Sequence, residues 1–205
     1  KTIIPFEIGS EIKKKLSKIK KKKIGFEYFI YPNKNLKKEN KIYDITLSFG
    51  GSDIYGATFY VLKLLEHLKI KKNVIVVCGK YFKSKYKKQI STICEKNKFK
   101  VKSFSKNFSD ILNKSKLLIT NSGLTKYEGV THGLQVMVFS DSKESQKIDK
   151  VFIKKTNQIH FSYLKKKQND LLKLNKFLQK KLKFKVIDKN INKLYMDKIK
   201  NFFNK

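Results

Sequence analysis

Two short turns carry the residue types that can hold a phosphate. Gly50-Gly51-Ser52-Asp53 follows an apolar run and opens a helical pattern. A helix N-terminus presents unpaired N–H groups and the positive end of the helix dipole, and glycines let a ligand approach the backbone closely. The same residues also suit a plain strand-to-helix turn capped by Ser52 or Asp53. No Gly-Lys-Ser/Thr follows, so this is not a Walker A loop. The spacing is not Gly-x-Gly-x-x-Gly either, although Gly56 lies close behind. Asn121-Ser122-Gly123 repeats the arrangement at the end of a second apolar run, and a diphosphate needs several donors. Glu128 follows in the next helical pattern, where a carboxylate could accept both hydroxyls of a ribose. Thr125-x-x-Glu128 is also a capping-box spacing, and on local sequence alone the cap is the simpler reading. A third polar stretch, residues 140–146, offers Ser142, Glu144 and Gln146 to a sugar or phosphate. It reads equally well as a solvated loop with Ser142 or Ser145 as a helix cap. His67, His132 and His160 are far apart, His67 as a surface residue and His132 at a helix C-terminus where the dipole favours a cation. No His-Glu-x-x-His, Ser/His/Asp pattern or Cys/His metal set can be assembled, so no catalytic base, metal or cofactor is assigned.

The elements that would position these turns alternate. Strands are expected over residues 43–49, 73–78, 100–104, 117–120, 135–139 and 158–163. Helices are expected over 54–68, 82–97, 108–114, the segment ending at His132-Gly133, and 145–155. Two Lys-rich amphipathic helices follow, over 168–182 and 189–203. Strand–helix alternation with short connections, and strands that are apolar throughout, predict an α/β fold: an open parallel sheet with helices on both faces. The loops after neighbouring strands then fall at one end of the sheet, where such sheets bind ligands. Upstream, residues 8–19 show helical spacing, 24–31 form an aromatic strand-like run, and 32–41 read as a polar linker. The expected division is 1–41, then a domain over 42–188, then a C-terminal helix over 189–205.

The 205 residues are 40% apolar, enough for a core, and no apolar run approaches membrane-spanning length. The net charge is +33, and all 49 basic residues are Lys. Lys, Asn, Ile, Phe and Tyr share A/T-rich codons, so the lysines read as genome bias on solvated positions. Nucleic-acid readers favour Arg for bidentate contacts. No specific nucleic-acid partner is expected, only a general attraction to anionic surfaces. Cys78 and Cys94 read as reduced, buried thiols of a cytoplasmic protein. The chain opens on Lys1, and its only methionines are Met137 and Met196, which points to protein preceding this segment.

LSFGGSD (residues 47–53), TNSGLTKYEGVTHGLQVMVFS (120–140) and Glu144-Ser145-Gln146 together resemble the C-terminal half of GT-B proteins. The likeness is nearest to pseudaminic-acid-pathway UDP-sugar hydrolases and spore-coat-polysaccharide-type predicted glycosyltransferases. The lipid-linked N-acetylglucosamine transferase of peptidoglycan synthesis is a more distant relative. GFEYFIY (25–31) resembles the crossover between the two domains of those hydrolases, and the likeness covers residues 24–155. It implies a Rossmann-like domain that holds the nucleotide of a UDP-sugar. Gly50, Gly51, Ser52, Ser122 and Gly123 would lie near the diphosphate, with Asn121 and Thr125 in the same set. Glu128 would hold the ribose, and Glu144 and Gln146 would lie near the sugar. The hydrolases' catalytic His belongs to a Gly-rich loop of the first domain, which none of the three histidines matches. Gln135 stands where relatives often have Pro. With no Arg in the chain, Lys126 is the expected phosphate partner. The resemblance therefore implies the UDP-sugar-binding half of an enzyme, a hydrolase first and a surface-polysaccharide glycosyltransferase as alternative. A non-catalytic nucleotide-sugar-binding module and a polyanion-binding protein are the competing classes.

Overall fold

In the computed structural model the continuous apolar runs become the central strands of one parallel sheet. The structure describes residues 1–25, 28–29, 40–104, 107–156, 158–162, 167–179 and 191–204. The chain opens with a small parallel pair, β1 (Thr2–Ile4) and β2 (Lys22–Ile24), joined by α1 (Ser10–Lys15) and a 3-10 turn (Leu16–Lys18). A single helix was expected over 8–19. The helix is shorter because Ile12 and its lysines stay exposed, leaving no apolar stripe to extend it. Of the aromatic run 24–31, residues 24, 25, 28 and 29 are described, and among these Ile24 alone is in a strand. The linker expected over 32–41 lies outside the described residues apart from its last two.

The main sheet contains β3 (Tyr43–Ser48), β4 (Val74–Cys78), β5 (Lys100–Ser103), β6 (Ser115–Asn121), β7 (Gln135–Ser140) and β8 (Ile159–Ser162). Its order is β5-β4-β3-β6-β7-β8, every pair parallel. Alternate residues feed two cores. Ile45, Leu47, Leu117, Ile119 and Met137 face a layer built from α2 (Ala57–His67), α3 (Ser84–Lys96) and α7 (Lys167–Leu178). Ile75, Val77, Leu118, Val136 and Val138 face α4 (Phe108–Asn113), α5 (Thr125–Thr131) and α6 (Lys143–Thr156). Helix α8 (Ile191–Asn204) is the last described element. Strand β5 is exposed along its length and presents Lys100 and Lys102, charges that guard a free sheet edge against pairing.

One feature of this order positions the site. From β3 the chain winds outwards through β4 and β5, then returns to the other side of β3 as β6. Strands β3 and β6 are neighbours, with Ser48 opposite Thr120, yet the helices after them lie on opposite faces. Their loops therefore diverge and leave a crevice at the C-terminal edge, the switch point where open α/β sheets bind ligands.

Candidate functional site

The first wall of the crevice is the turn after β3. Gly50 has φ 75°, Asp53 φ 43° and Gly56 φ 67°. This run of left-handed residues delays the helix, so α2 begins at Ala57 rather than at the expected residue 54. Gly56, not Ser52 or Asp53, holds the cap position, and the side chain that serves the first turn from outside it is Asp53. The Asp53 carboxylate accepts the N–H groups of Ala57 and Thr58, both at 2.8 Å, and the Tyr86 hydroxyl at 2.7 Å. Burial first, and then this carboxylate, push the Tyr86 phenol upward in pKa, so it stays a donor. The loop after β4 supports the turn from behind. Tyr81 N–H donates to the Gly51 carbonyl at 2.9 Å, and a methyl on Gly79 would overlap the carbonyl oxygens of Gly50 and Gly51.

The second wall is the turn after β6. Asn121 ties the two walls together: its amide donates to the Phe49 carbonyl at 3.3 Å while its Oδ1 accepts Gly123 N–H at 3.2 Å. Ser122 is turned away from the crevice. Its hydroxyl donates to Asp149 at 2.5 Å, and its carbonyl accepts Lys126 Nζ at 2.9 Å. Lys126 and Asp149 form a fully buried ion pair at 2.7 Å. Lys126 is therefore not a phosphate partner: its ammonium lies beneath the turn, against the rings of Tyr127 and Phe152, and Asp149 neutralises it. Ser140 also donates to Asp149 at 2.6 Å, so this one carboxylate secures the ends of both β6 and β7.

The capping box expected from Thr125 and Glu128 does not form. Thr125 is the first residue inside α5, Leu124 holds the cap position, and no side chain caps the helix. The Glu128 carboxylate bonds to no described residue, and burial raises its pKa. In the loop after β7, Ser142 and Ser145 exchange side-chain-to-backbone bonds at 2.9 and 3.0 Å, which is the cap reading for this stretch.

Between the walls lies a cleft of about 320 Å³. Phe49 and Phe139, packed edge to face at 5.9 Å, contribute to its lining. Gly50, Gly51, Ser52, Asn121, Gly123 and Thr125 all line it. Ser122, Glu128, Glu144 and Gln146 do not. Glu144 packs its carboxylate against Gly9, and Gln146 lies in the first turn of α6. Among the described residues no lysine lines the cleft, and its charged side chains are Asp53 and Asp141. The groups that sequence reasoning missed are Gly79, Asp141 and Asp149. Gly79 carries a signal in hindsight, since it ends an apolar strand just as Gly50 does. Asp149 carries a weaker one: it stands three residues before buried Phe152 on the inward stripe of a lysine-rich helix.

No histidine serves the cleft. His132 is buried rather than a helix-end cation. Its Nδ1 lies 2.8 Å from Asn113 Oδ1, and burial, with Lys41 adding, holds its pKa down at about 4. His160 Nε2 lies 2.7 Å from the Ser140 hydroxyl, and His67 is exposed at the end of α2. Cys78 and Cys94 are buried free thiols whose pKa burial raises, to about 12 for Cys94. Among the described residues no His/Cys/Asp/Glu group could hold a metal, and no helix is long and apolar enough to cross a membrane.

Fold and crevice define a Rossmann-like α/β domain of the kind that forms the second half of GT-B proteins. No protein-family profile matches the chain. One similar sequence is the uncharacterized protein MJ1062 of Methanocaldococcus jannaschii, 27% identical over 132 residues, which cover 62% of this chain and 26% of that protein. Solved structures that share the fold include GT-B glycosyltransferases. MurG of Acinetobacter baumannii matches with a TM-score of 0.67 at 11% identity, covering 99% of this chain and 66% of MurG. A TarM variant of S. aureus, in complex with fondaparinux, α-GlcNAc-glycerol and UDP, matches with a TM-score of 0.53 at 15% identity, covering 97% and 40%. The chain thus spans about a quarter of the similar sequence and less than two thirds of either structure.

Proposed function

We propose that this chain is the nucleotide-sugar-binding half of a GT-B enzyme that works at the glycosyl–phosphate bond of a UDP-sugar. The observation that carries this reading is the convergence of two glycine turns, after β3 and β6, on one cleft at the switch point. Backbone N–H groups of the two turns take the diphosphate, and Glu128, three residues beyond the cleft-lining Thr125 on α5 and with a carboxylate that bonds to no described residue, takes the ribose where it extends past the cleft. As the glycosyl–oxygen bond breaks, negative charge builds on the diphosphate. Fixed dipoles stabilise it without reorganising. The attacking group is an acceptor hydroxyl in a transferase or water in a hydrolase. Transfer comes first, because the similar solved structures named above are of glycosyltransferases, and hydrolysis of the pseudaminic-acid-pathway type is the second outcome. The catalytic base belongs to a first domain, of which residues 1–41 are the end and the crossover. The β1–β2 pair supports this, since two strands are too few for a sheet to stand alone.

Calorimetry with UDP tests the reading. Gly51→Val fills the cleft wall beside Tyr81 and should abolish UDP binding. Glu128→Gln should weaken it about tenfold, the effect of losing one charge-assisted hydrogen bond. The same Gln variant should be more stable at pH 7. Burial raises the Glu128 pKa above its unfolded value, so the folded state keeps the proton longer, and stability falls as pH rises through that interval. Removing the carboxylate removes that loss. UDP affinity unchanged in both variants would overturn the assignment. Turnover of a UDP-sugar by this chain alone would show that the base lies within it.

A further inference from the structure

We infer that Asp141 selects the sugar: its carboxylate makes the cleft accept a glycosyl group bearing hydroxyl or amine donors and reject one bearing a carboxylate. The inference rests on the nucleotide-sugar reading and deepens it. Two charged side chains line the cleft among the described residues, and they differ. The oxygens of Asp53 are occupied by Ala57 N–H, Thr58 N–H and the Tyr86 hydroxyl. Asp141 makes no hydrogen bond or ion pair with any described residue. In a chain with 49 lysines, none of the described residues lining this cleft is a lysine that could neutralise it.

The position of Asp141 is nonetheless fixed. It follows directly on β7, between two anchored neighbours. Ser140 donates to buried Asp149 at 2.6 Å, and Ser142 N–H donates to Ser145 Oγ at 2.9 Å within the cap of α6. The backbone that carries the carboxylate is therefore held at the cleft by the ends of two elements. A bound diphosphate avoids it and stays with the N–H groups of the turns after β3 and β6. Whatever part of the ligand reaches the β7 end meets an acceptor-only, negatively charged group. Hydroxyl, amino and acetamido N–H groups satisfy it, whereas a uronate or other acidic sugar places like charges together.

The test is calorimetry on the whole chain with UDP, UDP-GlcNAc, UDP-glucose and UDP-glucuronate, using wild type, Asp141→Asn and Asp141→Lys. Wild type should bind UDP-glucuronate at least about tenfold more weakly than UDP-glucose, the effect of one unfavourable charge pair. Asp141→Asn should bring the two within about threefold, and Asp141→Lys should reverse their order. Affinity for UDP itself should stay within about twofold in the Asn variant, because the diphosphate lies elsewhere. Thermal melting of each variant separates folding defects from binding effects, and the isosteric Asn substitution carries the test if Lys unfolds. Discrimination unchanged in Asp141→Asn overturns the inference alone. So does UDP binding that requires a divalent cation and is lost in the Asn variant, since Asp141 would then be a metal ligand. Failure of wild type to bind UDP overturns the nucleotide-sugar reading, and this inference with it.

Discussion

A methyl group at position 79 would press on the two carbonyl oxygens that shape the Gly50-Gly51 turn, whereas one at position 129 would meet only side chains. On α5, the added carbon at Gly129 would lie 2.6 Å from Leu118 Cδ2 and 2.8 Å from Val136 Cγ2. Both substitutions overpack, and each should cost about 1–3 kcal/mol in urea denaturation. Their effects on the site should separate. Gly79→Ala must move the first wall of the cleft and should weaken UDP binding, while Gly129→Ala lifts a helix from the sheet and should leave the affinity of the folded fraction unchanged. Equal UDP affinity in the two variants would remove the loop after β4 from the site. His132 gives a second prediction at this scale. In the unfolded chain it takes a proton near its ordinary pKa of 6.5, but in the fold only near 4, because burial disfavours the cation. Between these values the unfolded state binds more protons, so stability is lost as pH falls from 6.5 to 4. The loss should amount to up to about 3 kcal/mol. His132→Gln should flatten that part of the pH–stability curve, and a slope that survives the substitution would assign the titration to another group.

At the scale of elements, the Lys126–Asp149 pair joins α5 to α6 and holds the ends of β6 and β7 through Ser122 and Ser140. Removing one partner leaves an uncompensated buried charge, so Asp149→Asn should cost about 3–5 kcal/mol. Lys126→Met should cost less in the Asp149→Asn background than in wild type, because the stranded ammonium disappears with it. Additive costs in a double-mutant cycle would show that the two groups are not coupled. The same pair shows where the sequence could and could not be read. Strands such as NVIVVC and the glycine turns after β3 and β6 were legible because burial on both faces and the end of a strand leave local marks. The burial of Lys126 was not, because it depends on a carboxylate 23 positions later, whereas an isolated lysine reads as a surface or phosphate-binding group. Thr125-x-x-Glu128 has the right spacing for a capping box, yet the helix begins at Thr125 itself, so the hydroxyl sits one position too late to cap it. The start of α2 was misplaced for a related reason: Asp53 adopts φ 43°, a conformation its residue type permits but does not announce. Strands β1 and β2 escaped because three-residue strands arise from pairing with each other and carry no periodicity of their own.

At the scale of the whole molecule, a net charge of +33 and a cleft that no described lysine lines predict two binding behaviours that salt should separate. A polyanion lying on the lysine-covered exterior releases condensed counterions as it binds. Its affinity should fall by about 10³-fold or more between 50 and 200 mM salt if six or more phosphates are neutralised. A nucleoside diphosphate held by backbone N–H groups inside the cleft neutralises no side-chain charge. It experiences only the screened field of distant lysines, and the Debye length is already near 10 Å at 0.1 M salt. Its affinity should change less than about fivefold over the same range. Duplex DNA followed by fluorescence anisotropy and UDP followed by calorimetry, at matched salt concentrations, give the two slopes. A shallow slope for UDP beside a steep one for DNA places the nucleotide on fixed dipoles rather than on the lysine surface. Parallel steep slopes, with UDP displaced by DNA, would mean that both ligands occupy the cationic exterior. The two glycine turns would then be structural punctuation in a polyanion-binding protein.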